Sequence, residues 1–406
     1  MAVEKTRSAG IEIEDDYCSR CGICVAVCPF EAISKDEEQN KIILDVEKCR
    51  VCGLCVSTCP LAAIDLVYYD VDSLINQVKK QMAETGAKTL VLTCRGINPV
   101  TYDMEEQLKE ENVENHVSLR LPCVGRVPPE FFLRCLASGV EKVLVLQCEE
   151  DFCRFKKGSQ IGINRLVLLK NMIKYLGYEP KNLIVKKNAM KAVYDTEKCV
   201  GCGKCVFVCP YDAIEWQPFS TPEIKVENCV GCGACALVCP HQAIELRGYE
   251  YKPVSDLIER YNTRVKNIKG KGDKPAILLF VCEWSEFSAL DCVQQGCLGD
   301  NVMLIELPCS KGFDPVQVLQ ALSTGFDGVL AVTCPEEECK LEEGTELAER
   351  NFSALKRVLK QFNLEDRFDT FRITPKYPGE FDAKLKSFIQ KISSIKPKIK
   401  TAQTGM

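Results

Sequence analysis

The sequence predicts an α/β plus α+β protein built by tandem duplication: a cysteine-rich α+β module, then a parallel-sheet α/β module, then both again. Three observations carry that prediction. The run C-x2-C-x2-C-x3-C-P occurs four times in two pairs, at Cys18, Cys21, Cys24, Cys28 and Pro29; Cys49, Cys52, Cys55, Cys59 and Pro60; Cys199, Cys202, Cys205, Cys209 and Pro210; and Cys229, Cys232, Cys235, Cys239 and Pro240. After each pair, apolar runs of strand length alternate with helical periodicity, the signal of βαβ units around a parallel sheet. Cys123, Cys148 and Cys153 return 186 residues later as Cys309, Cys334 and Cys339, and Cys94 returns after 188 as Cys282. Such an offset marks an internal repeat, which divides the chain into modules at 11–66, 70–190, 192–247 and 253–393.

Residues 1–10 read as a frayed end, and the chain then enters the first cysteine-rich module. Its spacing is that of the bacterial ferredoxin run, in which three thiolates hold one 4Fe-4S cluster and the fourth reaches across to the other. Crossing groups Cys18, Cys21, Cys24 with Cys59, and Cys49, Cys52, Cys55 with Cys28. In the third module the same rule groups Cys199, Cys202, Cys205 with Cys239, and Cys229, Cys232, Cys235 with Cys209. These are dicluster ferredoxin modules, and four 4Fe-4S clusters are expected. Gly22, Gly53, Gly203 and Gly233 follow each second cysteine and let the backbone wrap close to sulfur. Ala-Ile recurs beyond each Cys-Pro (Ala32-Ile33, Ala63-Ile64, Ala213-Ile214, Ala243-Ile244) as small apolar packing. The segment 41–45 (KIILD) between the first two runs has strand character. Zinc knuckles are the weaker alternative.

In the second module the expected strands are 89–94, 116–123, 142–148 and 182–187, with helices around 101–110, from Pro129 to Ala137, and at 163–176. Their counterparts in the fourth module are strands at 276–282, 301–309, 328–334 and 368–374, and the tail beyond about 393 reads as disordered. In each α/β module a cysteine closes each of the first three strands, and a fourth follows five residues after the third. Ligands of open parallel sheets bind beyond the carboxyl ends of the strands. With strand order 2-1-3-4 the three cysteine-bearing strands are neighbours about 4.8 Å apart. Cys94, Cys123, Cys148 and Cys153 then converge, as do Cys282, Cys309, Cys334 and Cys339. Four thiolates suit zinc or an iron–sulfur cluster. Buried free cysteines are the bland alternative, but all four positions are cysteine in both copies. Cys135 aligns with Ala321 and reads as core packing, while Cys292 and Cys297 have no counterpart and read as ligands, a surface thiol pair or fillers, with fillers favoured.

The 52 basic and 57 acidic side chains give a net charge of −5, with no basic footprint for nucleic acid or membrane. No apolar run reaches the roughly 18 to 20 residues of a membrane helix, and 1–10 lacks a secretory core. The 27 cysteines carry metal-ligand spacing and must stay reduced, so an anaerobic cytoplasm is expected. Only His116 and His241 offer imidazole, so histidine-ligated centres are not expected. There is no G-x-G-x-x-G, Walker loop, nucleophile elbow or adjacent cysteine pair, and a non-catalytic electron-transfer role follows.

Leu121-Pro122-Cys123-Val124-Gly125-Arg126-Val127-Pro128-Pro129, then Val143 to Cys148 with Cys153 and a helical run, resembles the delta subunit of methyl-viologen-reducing hydrogenase. The resemblance covers about 100 residues per copy. It implies a 2Fe-2S cluster in each α/β module and a role in linking a hydrogenase or formate dehydrogenase to a heterodisulfide-reductase-like flavoprotein, within an electron-bifurcating assembly. The chain departs from the family pattern at Ile97 and Ser285, where a further cysteine is usual, and at Cys309-Ser310-Lys311-Gly312, where Gly-Arg is usual. A diffusing polyferredoxin carrier and a scaffold with structural zinc in the α/β modules are the competing readings.

Overall fold

The computed structural model describes residues 10–395 except 67–69, 95–107, 151–152, 189–190, 247–250, 272–273, 283–297, 308, 340, 342 and 378. Ile97, Ser285, Cys292 and Cys297 lie outside the described residues, and of the helix expected around 101–110 only 108–110 are described, as helix. Two compact units form, Met1–Met190 with Pro375–Pro378, and Lys191–Thr374 with Gly379–Met406.

In the first unit β1 (Ile11–Ile13), β2 (Ile33–Asp36), β3 (Lys41–Leu44) and β4 (Ile64–Leu66) make two antiparallel pairs, β1 with β4 and β2 with β3. One-turn helices Ile23–Val27 and Leu54–Thr58 carry Cys24 and Cys55, the third cysteine of each run. Both open at a glycine with φ 77°, at Gly22 and Gly53, a left-handed entry that a side chain would oppose. The Ala-Ile pairs are buried, as the packing argument expects.

The α/β part begins with helix Val71–Thr85, whose first turn is capped by the Asp70 carboxylate accepting from the Ser73 amide at 2.8 Å. Four parallel strands follow: β5 (Thr89–Cys94), β6 (Val117–Leu121), β7 (Lys142–Cys148) and β8 (Leu183–Asn188), in the order β6-β5-β7-β8. The central β5 and β7 are buried almost end to end, because helices cover both faces of such a sheet and the sequence reads as continuous apolar runs. Two elements differ from expectation. The second strand stops at Leu121 because Pro122 has no amide for the ladder, and Cys123 instead leads a 3-10 turn, Val124–Arg126. The helix expected from 163 begins at Gly158, since its first turn, Gly158-Ser159-Gln160, shows no apolar periodicity and the glycines read as breakers.

The second unit repeats this plan. β9 (Ala192–Tyr194), β10 (Ile214–Glu215), β11 (Glu223–Ile224) and β12 (Ile244–Leu246) pair antiparallel as β9 with β12 and β10 with β11. β13 (Ile277–Cys282), β14 (Val302–Leu307), β15 (Gly328–Thr333) and β16 (Phe368–Arg372) form a parallel sheet in the order β14-β13-β15-β16. One face, including Leu278, Phe280 and Ile305, packs against Ile258, Val318 and Phe352 from three helices. The other, including Leu279, Val281 and Leu330, packs against Phe381, Leu385 and Phe388 of helix Glu380–Ser394. No described helix is long and apolar enough to cross a membrane.

Phe313 ties the loop after β14 to the core, its ring 5.1 Å from Phe280, 5.0 Å from Phe352 and 5.9 Å from Phe368 by centroids. Phe313→Ala should destabilise this unit by about 3–5 kcal/mol, read as a lower midpoint in anaerobic chemical denaturation followed by circular dichroism.

Candidate metal centres

In the first ferredoxin-like module Cys24, Cys49, Cys52 and Cys55 are buried, Cys18, Cys28 and Cys59 half-buried, and Cys21 exposed. The second repeats the gradient: Cys205, Cys229, Cys232 and Cys235 buried, Cys199, Cys209 and Cys239 half-buried, Cys202 exposed. In three of the four runs the alanine of Ala-Ile donates its amide to the sulfur before proline: Ala32 to Cys28 at 3.4 Å, Ala63 to Cys59 at 3.3 Å and Ala243 to Cys239 at 3.2 Å. Val51 donates to Cys49 and Ala192 to Cys229, both at 3.4 Å. An N–H aimed at sulfur favours the thiolate.

Burial opposes those amides. It pushes the Cys52 thiol up to about 12 and Cys55 well above the usual thiol value, and in both cases the neighbouring sulfurs of Cys49 and Cys28 push the same way. Thus Cys28, from the first run, stands beside the cysteines of the second, whereas Cys24 has Cys18 and Cys21 as its sulfur neighbours. In the second unit a cavity is walled by Cys209, Cys229, Cys232 and Cys235, and Cys235 is pushed well up by burial, then by Cys232, Cys229 and Cys209. Thiols so placed keep their protons unless a metal cation takes the charge, which is what metal binding does to a thiol.

The α/β cysteines gather at the carboxyl edge of each sheet. Cys94 is level with Leu121 in the ladder, Cys282 with Leu307, and the second cysteine of each set lies two residues farther on. In the first unit the thiols of Cys123, Cys94, Cys148 and Cys153 form a chain of hydrogen-bonded neighbours. In the second, Cys282, Cys309, Cys339 and Cys334 close into a ring. Hydrogen bonds with Cys123 and Cys148 pull Cys94 well down, the bond with Cys148 brings Cys153 to about 7, and bonds with Cys309 and Cys334 bring Cys339 to about 2. Their partners Cys123, Cys148 and Cys334 are pushed well up by the same bonds and by burial.

The glycine five residues after the fourth cysteine was not singled out in the sequence. A Cβ at Gly158 would lie 2.8 Å from the Cys123 sulfur and 3.2 Å from that of Cys153; at Gly344 the corresponding distances are 2.6 Å to Cys309 and 3.0 Å to Cys339. The next residue ties the helix start to the third cysteine, Ser159 Oγ donating to the Cys148 carbonyl at 2.7 Å and Thr345 Oγ1 to that of Cys334 at 3.0 Å. Val124 and Ser159 amides donate to the Cys94 and Cys153 sulfurs at 3.2 and 3.3 Å. The signal was the repeat itself, which keeps Cys-x4-Gly-Ser or Cys-x4-Gly-Thr in both copies. Cys135 is fully buried beside Phe131 and Phe132, its thiol pushed up to about 12 by burial, in keeping with core packing.

Inside each unit the two kinds of site adjoin. Ser57 Oγ donates to the Gly125 carbonyl at 2.9 Å, and the Cys52 thiol bears electrostatically on Cys123. In the second unit Cys232 and Cys309 share one apolar cluster with Leu341, against which Tyr211 and Cys339 pack.

The cysteine geometry defines an iron–sulfur protein, and comparison with known proteins gives its kinship. The model of the methyl-viologen-reducing hydrogenase delta subunit family matches residues 89–200 and 277–396, and two 4Fe-4S dicluster domain models match 10–60 and 189–246. With more than half its length so matched, the chain belongs to the methyl-viologen-reducing hydrogenase delta subunit family. It is 31% identical over 269 residues to a subunit of the Ferredoxin/F(420)H(2)-dependent CoB-CoM heterodisulfide reductase of Methanosarcina acetivorans, covering 66% of this chain and 31% of that one. It is 33% identical over 95 residues to an iron-sulfur subunit of the F420-non-reducing hydrogenase of Archaeoglobus profundus, covering 23% of this chain and 69% of that one. The corresponding vhu iron-sulfur subunit of Methanocaldococcus jannaschii is 26% identical over 132 residues, 32% of this chain and 98% of that one. The chain thus spans about a third of the reductase polypeptide it matches.

Gly344→Ala should abolish the metal content of the Cys282, Cys309, Cys334, Cys339 edge and leave the ferredoxin-like modules loaded, as judged by iron per chain and electron paramagnetic resonance. Full metal content in this variant would show that the glycine is not needed for the site.

Proposed function

We propose that this chain is an electron-relay subunit, working between a hydrogenase-like or formate-dehydrogenase-like donor and a heterodisulfide-reductase-like flavoprotein in a multisubunit, electron-bifurcating assembly of the cytoplasm. The observation that carries this reading is the alignment of sites within each unit, from an exposed cysteine of a ferredoxin-like module, through its buried run, to the thiols at the sheet edge. The names of the matched relatives support the partner classes.

In this reading the modules at 11–66, 70–190, 192–247 and 253–393 hold six centres. Four are 4Fe-4S clusters, held by Cys18, Cys21, Cys24 and Cys59; by Cys49, Cys52, Cys55 and Cys28; by Cys199, Cys202, Cys205 and Cys239; and by Cys229, Cys232, Cys235 and Cys209. Two are 2Fe-2S clusters, on Cys94, Cys123, Cys148 and Cys153 and on Cys282, Cys309, Cys334 and Cys339. The neighbourhood of Cys28 with Cys49, Cys52 and Cys55, and the cavity walled by Cys209 with Cys229, Cys232 and Cys235, support the crossed sets. At the sheet edges four thiols converge in each unit, and kinship with the hydrogenase delta subunit family supports 2Fe-2S over zinc there.

Iron–sulfur clusters, when bound, supply one-electron redox steps without bond rearrangement. The chain's residues do the rest: cysteines fix the spacing, the buried Ala-Ile pairs and Leu54 keep water from the sulfurs, and amides stabilise thiolate charge. Exposed Cys21 and Cys202 leave one edge of each module open to a redox partner.

Anaerobically prepared chain should contain iron for six centres. Cys148→Ser and Cys334→Ser should each remove one distinct resonance signal, Cys28→Ser should perturb the signal that depends on Cys52, and Cys135→Ala should change none. Signals that account for four 4Fe-4S clusters alone, or stoichiometric zinc, would sink the six-centre assignment.

In a reconstituted assembly, omitting this chain should abolish electron transfer between donor and flavoprotein while each keeps its activity with artificial dyes. Undiminished transfer without it, or substrate turnover by the isolated chain, would overturn the relay reading.

A further inference from the structure

Lys311 is completely buried, on the 3-10 turn Ser310–Gly312 that follows Cys309. Its Nζ donates to the Leu341 carbonyl at 3.5 Å and lies 5.5 Å from the centre of the Tyr211 ring. Carbonyl and ring present only partial negative charge, and no acidic side chain among the described residues pairs with the ammonium. An ammonium taken out of water is costly unless full negative charge faces it. The surroundings name the source of that charge. Tyr211 lies two residues beyond Cys209, Leu341 two beyond Cys339 and Lys311 two beyond Cys309, and Cys232, Cys309 and Leu341 share one apolar cluster with Tyr211 and Cys339 packed on it.

The first unit puts a cation at the same joint from a different residue. Gly125, the counterpart of Lys311, has no room for a side chain, since a Cβ there would lie 2.4 Å from the Gly158 carbonyl oxygen. The next residue, Arg126, is buried at 2% exposure, packs across Gly53, and its charge bears on the Cys52 thiol. Where Gly-Arg stands in one copy, Lys-Gly stands in the other. Side-chain position changed while buried positive charge was kept.

We propose that Lys311 is a charge-setting residue shared by two centres of the second unit, those of Cys209, Cys229, Cys232, Cys235 and of Cys282, Cys309, Cys334, Cys339, and that Arg126 serves the first unit likewise. The proposal rests on the cluster assignment made above. Each transfer between the two centres moves one electron, oxidising one and reducing the other by one, with no proton or covalent change. A fixed cation favours the more negative, reduced form of both centres, so it raises both potentials. Lys311 touches the carbonyl and ring that flank the ligands and acts through its charge.

The test is an anaerobic dithionite titration of the full chain followed by electron paramagnetic resonance. Lys311→Met should shift the midpoints of the two second-unit centres to lower potential and leave the remaining signals in place, and Lys311→Arg should restore them. Arg126→Met should move the pair in the first unit only. Unmoved midpoints at full iron content overturn the proposal, as does a shift shared by all centres. If Lys311→Met and Lys311→Gln both lose iron from the second unit while Lys311→Arg keeps it, the charge requirement stands; loss in Lys311→Arg as well overturns it. Absence of the signals from wild-type chain would instead refute the cluster assignment.

Discussion

Everything in this molecule depends on holding thiolate charge inside apolar surroundings. A buried thiol resists ionisation, as Cys52 and Cys55 show, and the fold answers with amides aimed at sulfur and with glycines where a side chain would collide. The left-handed glycines that open the one-turn helices put the third cysteine of each run on a helix. At the sheet edges the parallel register does the equivalent work, setting three strand ends side by side so that cysteines far apart in sequence meet.

Duplication shows which features that constraint fixes and which it leaves free. The cysteines, the glycine beneath two sulfurs and the hydroxyl that ties the helix to the third cysteine recur in both units. The joint between the two kinds of site was rebuilt instead. Ser57, which donates to the Gly125 carbonyl, has Leu237 in its place, and Gly-Arg became Lys-Gly, so that a Cβ at Gly233 would stand 3.5 Å from the Gly312 Cα. Sulfur positions tolerate almost no drift because metal geometry is rigid, while a buried charge acts over several ångströms and can be supplied from either of two adjacent residues.

The parallel strands and the cysteines that close them were legible in the sequence because both follow from strong rules, the continuous apolar runs of buried parallel strands and the fixed cysteine spacing; the order 2-1-3-4, on which convergence depends, entered as a condition that the sheets meet. The residues that tune the sites were not legible. Gly158 and Gly344 carry no chemistry of their own, and their role exists only where a helix start meets a sulfur from another strand. Lys311 reads in sequence only as a departure from the family's Gly-Arg, and its complete burial is what gives that departure a meaning. The early start of helix Gly158–Tyr175 escaped for a related reason, since the glycine that propensity counts as a breaker is the residue the site requires.

Within a unit the burial of the cysteines also gives the relay reading a polarity. At one end stands exposed Cys21 or Cys202, and at the other the sheet-edge site keeps three cysteines buried and one half-buried, Cys153 or Cys339. In the relay reading, a partner that exchanges electrons with the sheet-edge centre would therefore meet it on the side of the fourth cysteine, which lies in the stretch of sequence between the third strand and the long helix. In sequence that stretch stays acidic in both copies, with three acidic residues in Glu149-Glu150-Asp151-Phe152 and three in Pro335-Glu336-Glu337-Glu338, so in the relay reading a partner of either unit would approach this centre across negative charge.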